Sequence, residues 1–110
     1  MAYDEELAAR IRELLAGEAG LTEKKMFGGL AFLIGGNMAV SASGQGGILL
    51  RVDPDKSDEL VAGGDATVAI MRGRPMKGWL RVDSSHLGSQ QELEGWVGRA
   101  VTYARSLPPK

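Results

Sequence analysis

The sequence predicts an α+β domain of two layers, an antiparallel sheet with helices on one face, in the order α-β-β-β-α-β-β-α. Three observations predict it. Apolar residues recur at helical spacing near both ends of the chain and in one short central segment. Between these lie short apolar runs with the alternation and aromatic content of strands. Tight glycine turns join consecutive runs, which makes neighbouring strands antiparallel.

The elements follow in order. From Asp4 to Ala16, Leu7, Ala8, Ile11, Leu14 and Leu15 form one stripe of an amphipathic helix with acids in its first turn, and Gly17 and Gly20 end it. Lys24 to Ile34 reads as one strand, with the Gly28-Gly29 pair marking a bulge or a close backbone approach in its middle. Gly35-Gly36-Asn37 is a hairpin turn, and Asn37–Ser43 and Gly47–Val52 are two further strands around Ser43-Gly44-Gln45-Gly46. Asp53-Pro54 starts a helix of about two turns, Asp as the cap and Pro at the first helical position, where no N–H is needed. Thr67–Met71 and Gly78–Val82 form a second strand pair around the loop Arg72–Lys77. Ser89 with Glu92 makes a capping box, and Leu93, Trp96, Val97, Ala100, Val101, Ala104 and Leu107 carry an apolar stripe up to Pro108-Pro109.

Composition removes much of enzyme chemistry. With 110 residues the chain is one domain, residues 1–110, and 13 Lys+Arg against 14 Asp+Glu leave a formal charge of −1, so non-specific nucleic-acid binding by bulk charge is not expected. Cysteine is absent, which excludes disulfides, thiolate nucleophiles and Cys-ligated metals, and the single histidine excludes a two-histidine metal site within one chain. The N-terminus opens with acid rather than a basic segment and an apolar run, and the longest apolar stretch, around Leu30–Ile34, is far too short for a membrane span. The expectation is a cytoplasmic protein without metal, cofactor or membrane association.

Local motifs mostly yield structural readings. Ser43–Gly47 lacks the third glycine of a dinucleotide fingerprint and the Lys-Ser/Thr pair of a P-loop, and a strand follows it, so it reads as a hairpin turn. The acids Asp53, Asp55, Asp58 and Glu59 lack the glycine and the terminal glutamate of a calcium loop and read as acids at a helix N-terminus. His86 stands beside Ser84, Ser85 and Asp83, but sequence neighbours do not converge as a triad, so it reads as a surface histidine. Trp96 and Tyr103 belong to the packing of the last helix.

The segment Arg72-Gly73-Arg74-Pro75-Met76-Lys77-Gly78-Trp79 is the best functional candidate. Arg72, Arg74 and Lys77 concentrate positive charge in a slightly acidic protein, with Met76 and Trp79 offering apolar contact beside it. An internal echo adds to it: Leu50-Arg51-Val52-Asp53 recurs as Leu80-Arg81-Val82-Asp83. Either strand–turn–helix junctions favour such residues, or Arg51 and Arg81 lie on neighbouring strands and build a shared basic face. The candidate contact set is therefore Arg72, Arg74, Lys77, Trp79, Arg51 and Arg81, with no catalytic residue among them.

The combination Lys25-Met26-Phe27-Gly28-Gly29-Leu30-Ala31-Phe32, Asn37-Met38-Ala39-Val40, Leu49-Leu50-Arg51-Val52 and Arg74-Pro75-Met76-Lys77-Gly78-Trp79 resembles the N-terminal domain of the TfoX/Sxy family of bacterial competence regulators, especially its small stand-alone members. The resemblance spans roughly Glu5 to Leu107. It implies the same two-layer α+β fold. It also implies a regulatory role, since full-length members resemble transcriptional co-regulators that act with the cyclic-AMP receptor protein and carry a further helical domain, for which this chain shows no counterpart. It implies no catalytic residues. The expected function is thus a non-enzymatic regulatory or adaptor domain that binds a protein partner, the transcription machinery being one such partner, with direct DNA binding disfavoured. The alternative is a small-molecule sensor or an enzyme-like pocket protein holding an anionic ligand at the Arg72–Lys77 loop. A homodimer through a sheet edge or the last helix is compatible with a domain of this size, and the sequence names no interface.

Overall fold

A computed structural model describes residues 3–26, 28–44 and 46–109. Its elements are α1 (Glu5–Leu15), β1 (Leu21–Met26), β2 (Gly29–Ile34), β3 (Asn37–Ala42), β4 (Ile48–Arg51), α2 (Pro54–Ala62), β5 (Ala66–Met71), β6 (Arg74–Val82), a 3-10 turn at Ser84–His86, and α3 (Gln90–Ser106). The strands form one six-stranded sheet in the order β1-β2-β3-β4-β6-β5, with every neighbouring pair antiparallel. The α+β class and the antiparallel sheet are as expected.

The order has one strand more than the sequence suggests. The stretch Lys24–Ile34 is not one strand but the β1–β2 hairpin, in which Lys25 faces Leu30 and Met26 faces Gly29. The close approach expected at the glycine pair is real, and it lies across the sheet rather than within a strand. A Cβ on Gly29 would stand 2.2 Å from the Ala42 carbonyl oxygen of β3. Phe27 and Gln45 lie outside the described residues. Around Gln45, Ser43 donates its N–H to the Gly47 carbonyl at 3.0 Å, closing the hairpin between β3 and β4.

Helix ends follow the caps. Asp4 accepts from the Leu7 N–H at 3.1 Å, Asp53 accepts from the Asp55 N–H at 2.9 Å, and Ser89 with Glu92 forms the reciprocal capping box. Each cap removes an orphan donor and sets where the helix leaves the sheet.

Strand alternation sorts the sheet into two faces. One face carries Phe32, Ile34, Val40, Ile48, Leu50, Leu80 and Val82, packed with Leu7, Ile11 and Leu15 of α1, Leu93, Trp96, Val97, Ala100 and Ala104 of α3, and Leu60 and Val61 of α2. All three helices therefore lie on one side, as expected. The opposite face carries a small separate cluster of Ala31, Met38, Leu49 and Ala69 with Leu33 and Trp79, and no helical residue joins it. We call it the open face.

Two outcomes follow. Gly29→Ala places a methyl against backbone that cannot yield, so it should cost about 1–3 kcal/mol, whereas Gly98→Ala, inside α3 with nothing within 4 Å of its Cβ, should stabilise by up to about 1 kcal/mol. Chemical denaturation of both variants reads the contrast. The second concerns Arg12, which clips α1 to β1 by donating from Nε to Glu23 Oε2 at 2.6 Å and from Nη2 to Oε1 at 2.9 Å. The hydrogen bond from Arg12 holds the Glu23 carboxyl below its ordinary value. A lowered folded-state pKa contributes stability above the unfolded value and loses it as pH falls through the folded one. Carbon-detected NMR titration should place Glu23 below the usual glutamate value of about 4.3 and return it there in Arg12→Ala.

Candidate binding face and arm

β4 and β6 meet although α2 and β5 separate them in the chain, and their register decides what the open face carries. Leu50 sits opposite Leu80, Leu49 opposite Arg81, and Arg51 opposite Trp79. The repeated Leu-Arg-Val-Asp is therefore centred on a cross-strand Leu–Leu pair. Both readings of the repeat hold structurally: each Asp caps the turn that follows, Asp53 for α2 and Asp83 for the 3-10 turn, and the two arginines lie on neighbouring strands on one side of the sheet.

Trp79 stands between them. The Arg51 guanidinium lies 5.3 Å from the centroid of the Trp79 ring and 5.5 Å from that of Tyr103 on α3. A guanidinium near two aromatic rings is attracted by the quadrupoles of both. Arg81 donates from Nη1 to Ser43 Oγ at 3.0 Å, which fixes the second fork. Neither arginine forms an ion pair; the pairs among the described residues are Arg12–Glu23, His86–Asp65 and Arg105–Glu18.

Charge is segregated between the sheet and the rest of the molecule. Of the 14 acids only Glu23 lies in a strand, and it is bound to Arg12 on the helix side, whereas Lys24, Lys25, Arg51, Arg74, Lys77 and Arg81 are all strand residues. Lys24 faces Ala31 across β1–β2 and so shares the open face with Arg51 and Arg81. The open face thus presents Arg51 and Arg81 beside a half-buried tryptophan, with Lys24 at its far edge, a surface matched to carboxylates or phosphates.

The segment Arg72–Lys77, expected to be a loop, is instead the end of a hairpin. Only Arg72 and Gly73 turn, with φ of 53° and 76°, and Arg74–Lys77 continue as β6. Positive φ at both positions is what a two-residue hairpin turn requires, and it draws Arg74 and its neighbours into the ladder, with Met71 opposite Arg74 and Ile70 opposite Pro75. Between Ile70–Pro75 and Val68–Leu80 the pairing is interrupted, β6 having three residues more than β5. Gly78 makes the bend: at φ 88° its N–H donates to Ser57 Oγ at 3.4 Å and its carbonyl accepts the Val52 N–H at 2.7 Å. Beyond it the hairpin forms an arm in which Arg72, Arg74, Pro75, Met76 and Lys77 are all exposed. Ile70 and Met76, at 59% and 38%, are the exposed large hydrophobics among the described residues, and both belong to this arm. The structure thus brings Arg51, Trp79 and Arg81 together, and places Arg72, Arg74 and Lys77 on the adjoining arm, where no hydrogen bond or ring contact among the described residues joins them to that trio.

A family model described as the TfoX N-terminal domain matches residues 13–104. The chain belongs to the TfoX N-terminal domain family. The match takes in the last turn of α1, the whole sheet and nearly all of α3, so the face and arm of this TfoX N-terminal domain lie inside the shared unit. No curated protein sequence matches the chain. Among the described residues no helix is long and apolar enough to cross a membrane.

The TfoX domain also has a groove that sequence reasoning missed. It lies between α2 and α3, holds about 610 Å³, and is lined by Lys56, Glu59, Leu60, Arg99, Thr102 and Tyr103 among others. None of Arg72, Arg74 or Lys77 lines it. Its signal in the sequence is faint, because it depends on how two helices splay. Tyr103 connects the two regions, since it lines the groove and its ring also touches Arg51.

Gly78 is the residue on which face and arm both turn. A Cβ there would meet the Val52 carbonyl oxygen and Pro54 Cγ, both at 3.1 Å, from a backbone conformation that side chains resist. Gly78→Ala should therefore lower stability by about 1–3 kcal/mol. It should also speed amide exchange at Val52, and thermal unfolding with hydrogen exchange reads both effects.

Proposed function

We propose that this TfoX N-terminal domain is a non-enzymatic, cytoplasmic regulatory adaptor that binds an acidic surface of a protein partner, the family pointing to the transcription machinery as the class of partner. The observation that carries this reading is the segregation of charge: an open sheet face with Arg51 and Arg81 beside Trp79, Lys24 at its far edge, and no acidic side chain among the described strand residues that share it. Aromatic and arginine side chains are the usual anchors of protein contacts. The arm extends the same chemistry, with Arg72, Arg74 and Lys77 beside exposed Ile70 and Met76. Duplex DNA is a poorer match, because no helix carries the cluster of basic residues that a major-groove reader needs.

A second reading is a sensor for a small anionic ligand. The α2–α3 groove favours it, with Lys56 and Arg99 as cations and the Tyr103 ring leading to Arg51. A ligand bound only by the folded state raises the melting temperature, so a thermal-shift panel of nucleotides and phosphorylated metabolites separates the two readings.

The adaptor reading is tested by affinity capture from native cytosol with wild-type protein, with Arg51→Ala/Trp79→Ala/Arg81→Ala, and with Arg72→Ala/Arg74→Ala/Lys77→Ala. The expected result is a captured protein that both variants lose and that raised salt weakens. Identical captures by all three proteins at all salt concentrations would retire the face and the arm as contacts.

A further inference from the structure

We propose that the domain pairs with a second copy of itself, edge to edge through β5, joining two sheets into one continuous antiparallel sheet. The inference does not rest on the adaptor reading. It begins with the contrast between the sheet's two edges. β1, the edge at one end of the strand order, carries Glu23, Lys24 and Lys25 in a row, the kind of charge that keeps an edge from pairing. β5, the edge at the other end, reads Ala66-Thr67-Val68-Ala69-Ile70-Met71, with no charge and no proline. Its Ile70 is 59% exposed. Of the two rows of unpaired backbone groups, only the one on β5 is undefended.

Symmetry restricts how two β5 strands can meet. A two-fold axis perpendicular to the sheet makes the strands antiparallel and keeps each face on its own side, so residues of the same face must lie opposite each other. The register centred on Ala69 satisfies this. It puts Ala69 against its own counterpart, Val68 against Ile70, and Thr67 against Met71. The small, fully buried Ala69 leaves room on the axis, and Val68, already packed on the core, gives the exposed Ile70 an apolar neighbour.

The ends of the strand supply charge complementarity. Asp65 immediately precedes β5, and Arg72 opens the turn that follows it. In this register Ala66 of each copy falls opposite Arg72 of the other, so Asp65 comes beside that arginine at the start of the turn, and symmetry makes the contact twice. Asp65 is accessible for this: its side chain is 55% exposed, and its present partner is His86 Nδ1 at 3.5 Å. Arg72 and Arg74 have no carboxylate partner among the described residues. The pairing also leaves both open faces on the same side of the joined sheet.

Sedimentation equilibrium over a concentration series tests it, because a six-residue edge is small beside the interfaces of obligate dimers. Wild type should be a reversible dimer. Asp65→Arg and Arg72→Asp should each weaken it by about tenfold, since two attractive pairs become two repulsive ones. The double variant Asp65→Arg/Arg72→Asp should recover it, and His86→Ala should leave it unchanged. Thr67→Lys/Ile70→Lys, both at exposed positions, should abolish it without lowering the melting temperature. A wild type that stays monomeric at every concentration would overturn the proposal, as would a dimer indifferent to the edge lysines or to the charge reversals. Loss of partner capture in the Arg51/Trp79/Arg81 variant would stand whichever of these is found.

Discussion

The pairing of β4 with β6 holds the molecule together. The chain makes two local units, a four-strand meander and a two-strand hairpin, and only this pairing joins them into one sheet. Leu50 opposite Leu80 is its centre, and both side chains are fully buried in the core that α1 and α3 cover. α2 spans the join, its N-terminus held by Asp53 and its buried Ser57 tied to the Gly78 N–H of β6. The binding face exists because of the same register, since Arg51 comes from one unit and Trp79 and Arg81 from the other. Stability and the candidate site therefore share one row of hydrogen bonds.

A sheet covered by helices on one side must do something with the other. Here the open face is built from small residues under a few large ones: Ala31, Leu49 and Ala69 are all but inaccessible, with Leu33 and Trp79 packed beside them. Such a face is shielded enough to remain in water, yet its outermost groups are guanidinium and indole, which retain directional binding capacity. Arg51 is the most constrained of them, near the rings of Trp79 and Tyr103, and a side chain ordered in advance loses less entropy when it binds.

How much of this is legible in the sequence depends on the range of the interaction. Caps and turns are read directly because their chemistry is local: Asp53-Pro54, Ser89 with Glu92, and Gly35-Gly36 all stand where their residues point. The β1–β2 hairpin is harder, because Gly29 is required by the Ala42 carbonyl of a strand more than ten residues away, and a bulge and a turn leave the same local mark. The Arg72–Lys77 segment looks like a loop for a related reason: Gly and Pro punctuate it, but its pairing partner β5 sets its conformation. The Leu-Arg-Val-Asp echo shows Arg51 and Arg81 as candidates, yet nothing in the pattern places Trp79 between them; the antiparallel register does. The α2–α3 groove depends on helix packing alone and leaves almost no trace in the order of residues.

The segregation of charge has a consequence at distances where no single side chain is felt. The formal charge of −1 says that the molecule is nearly neutral as a whole. Yet almost all its acids sit on helices and loops, and six of its 13 cations rise from the sheet, so the molecule carries an electric dipole running through its two layers. An ion-sized probe several Debye lengths away senses little, since salt screens beyond about 8 Å at physiological ionic strength. Closer in, the field of an acidic surface exerts a torque before it exerts much pull, and it turns the open face toward itself during the encounter. Orientation, rather than attraction, is what this arrangement contributes to the first approach of two molecules.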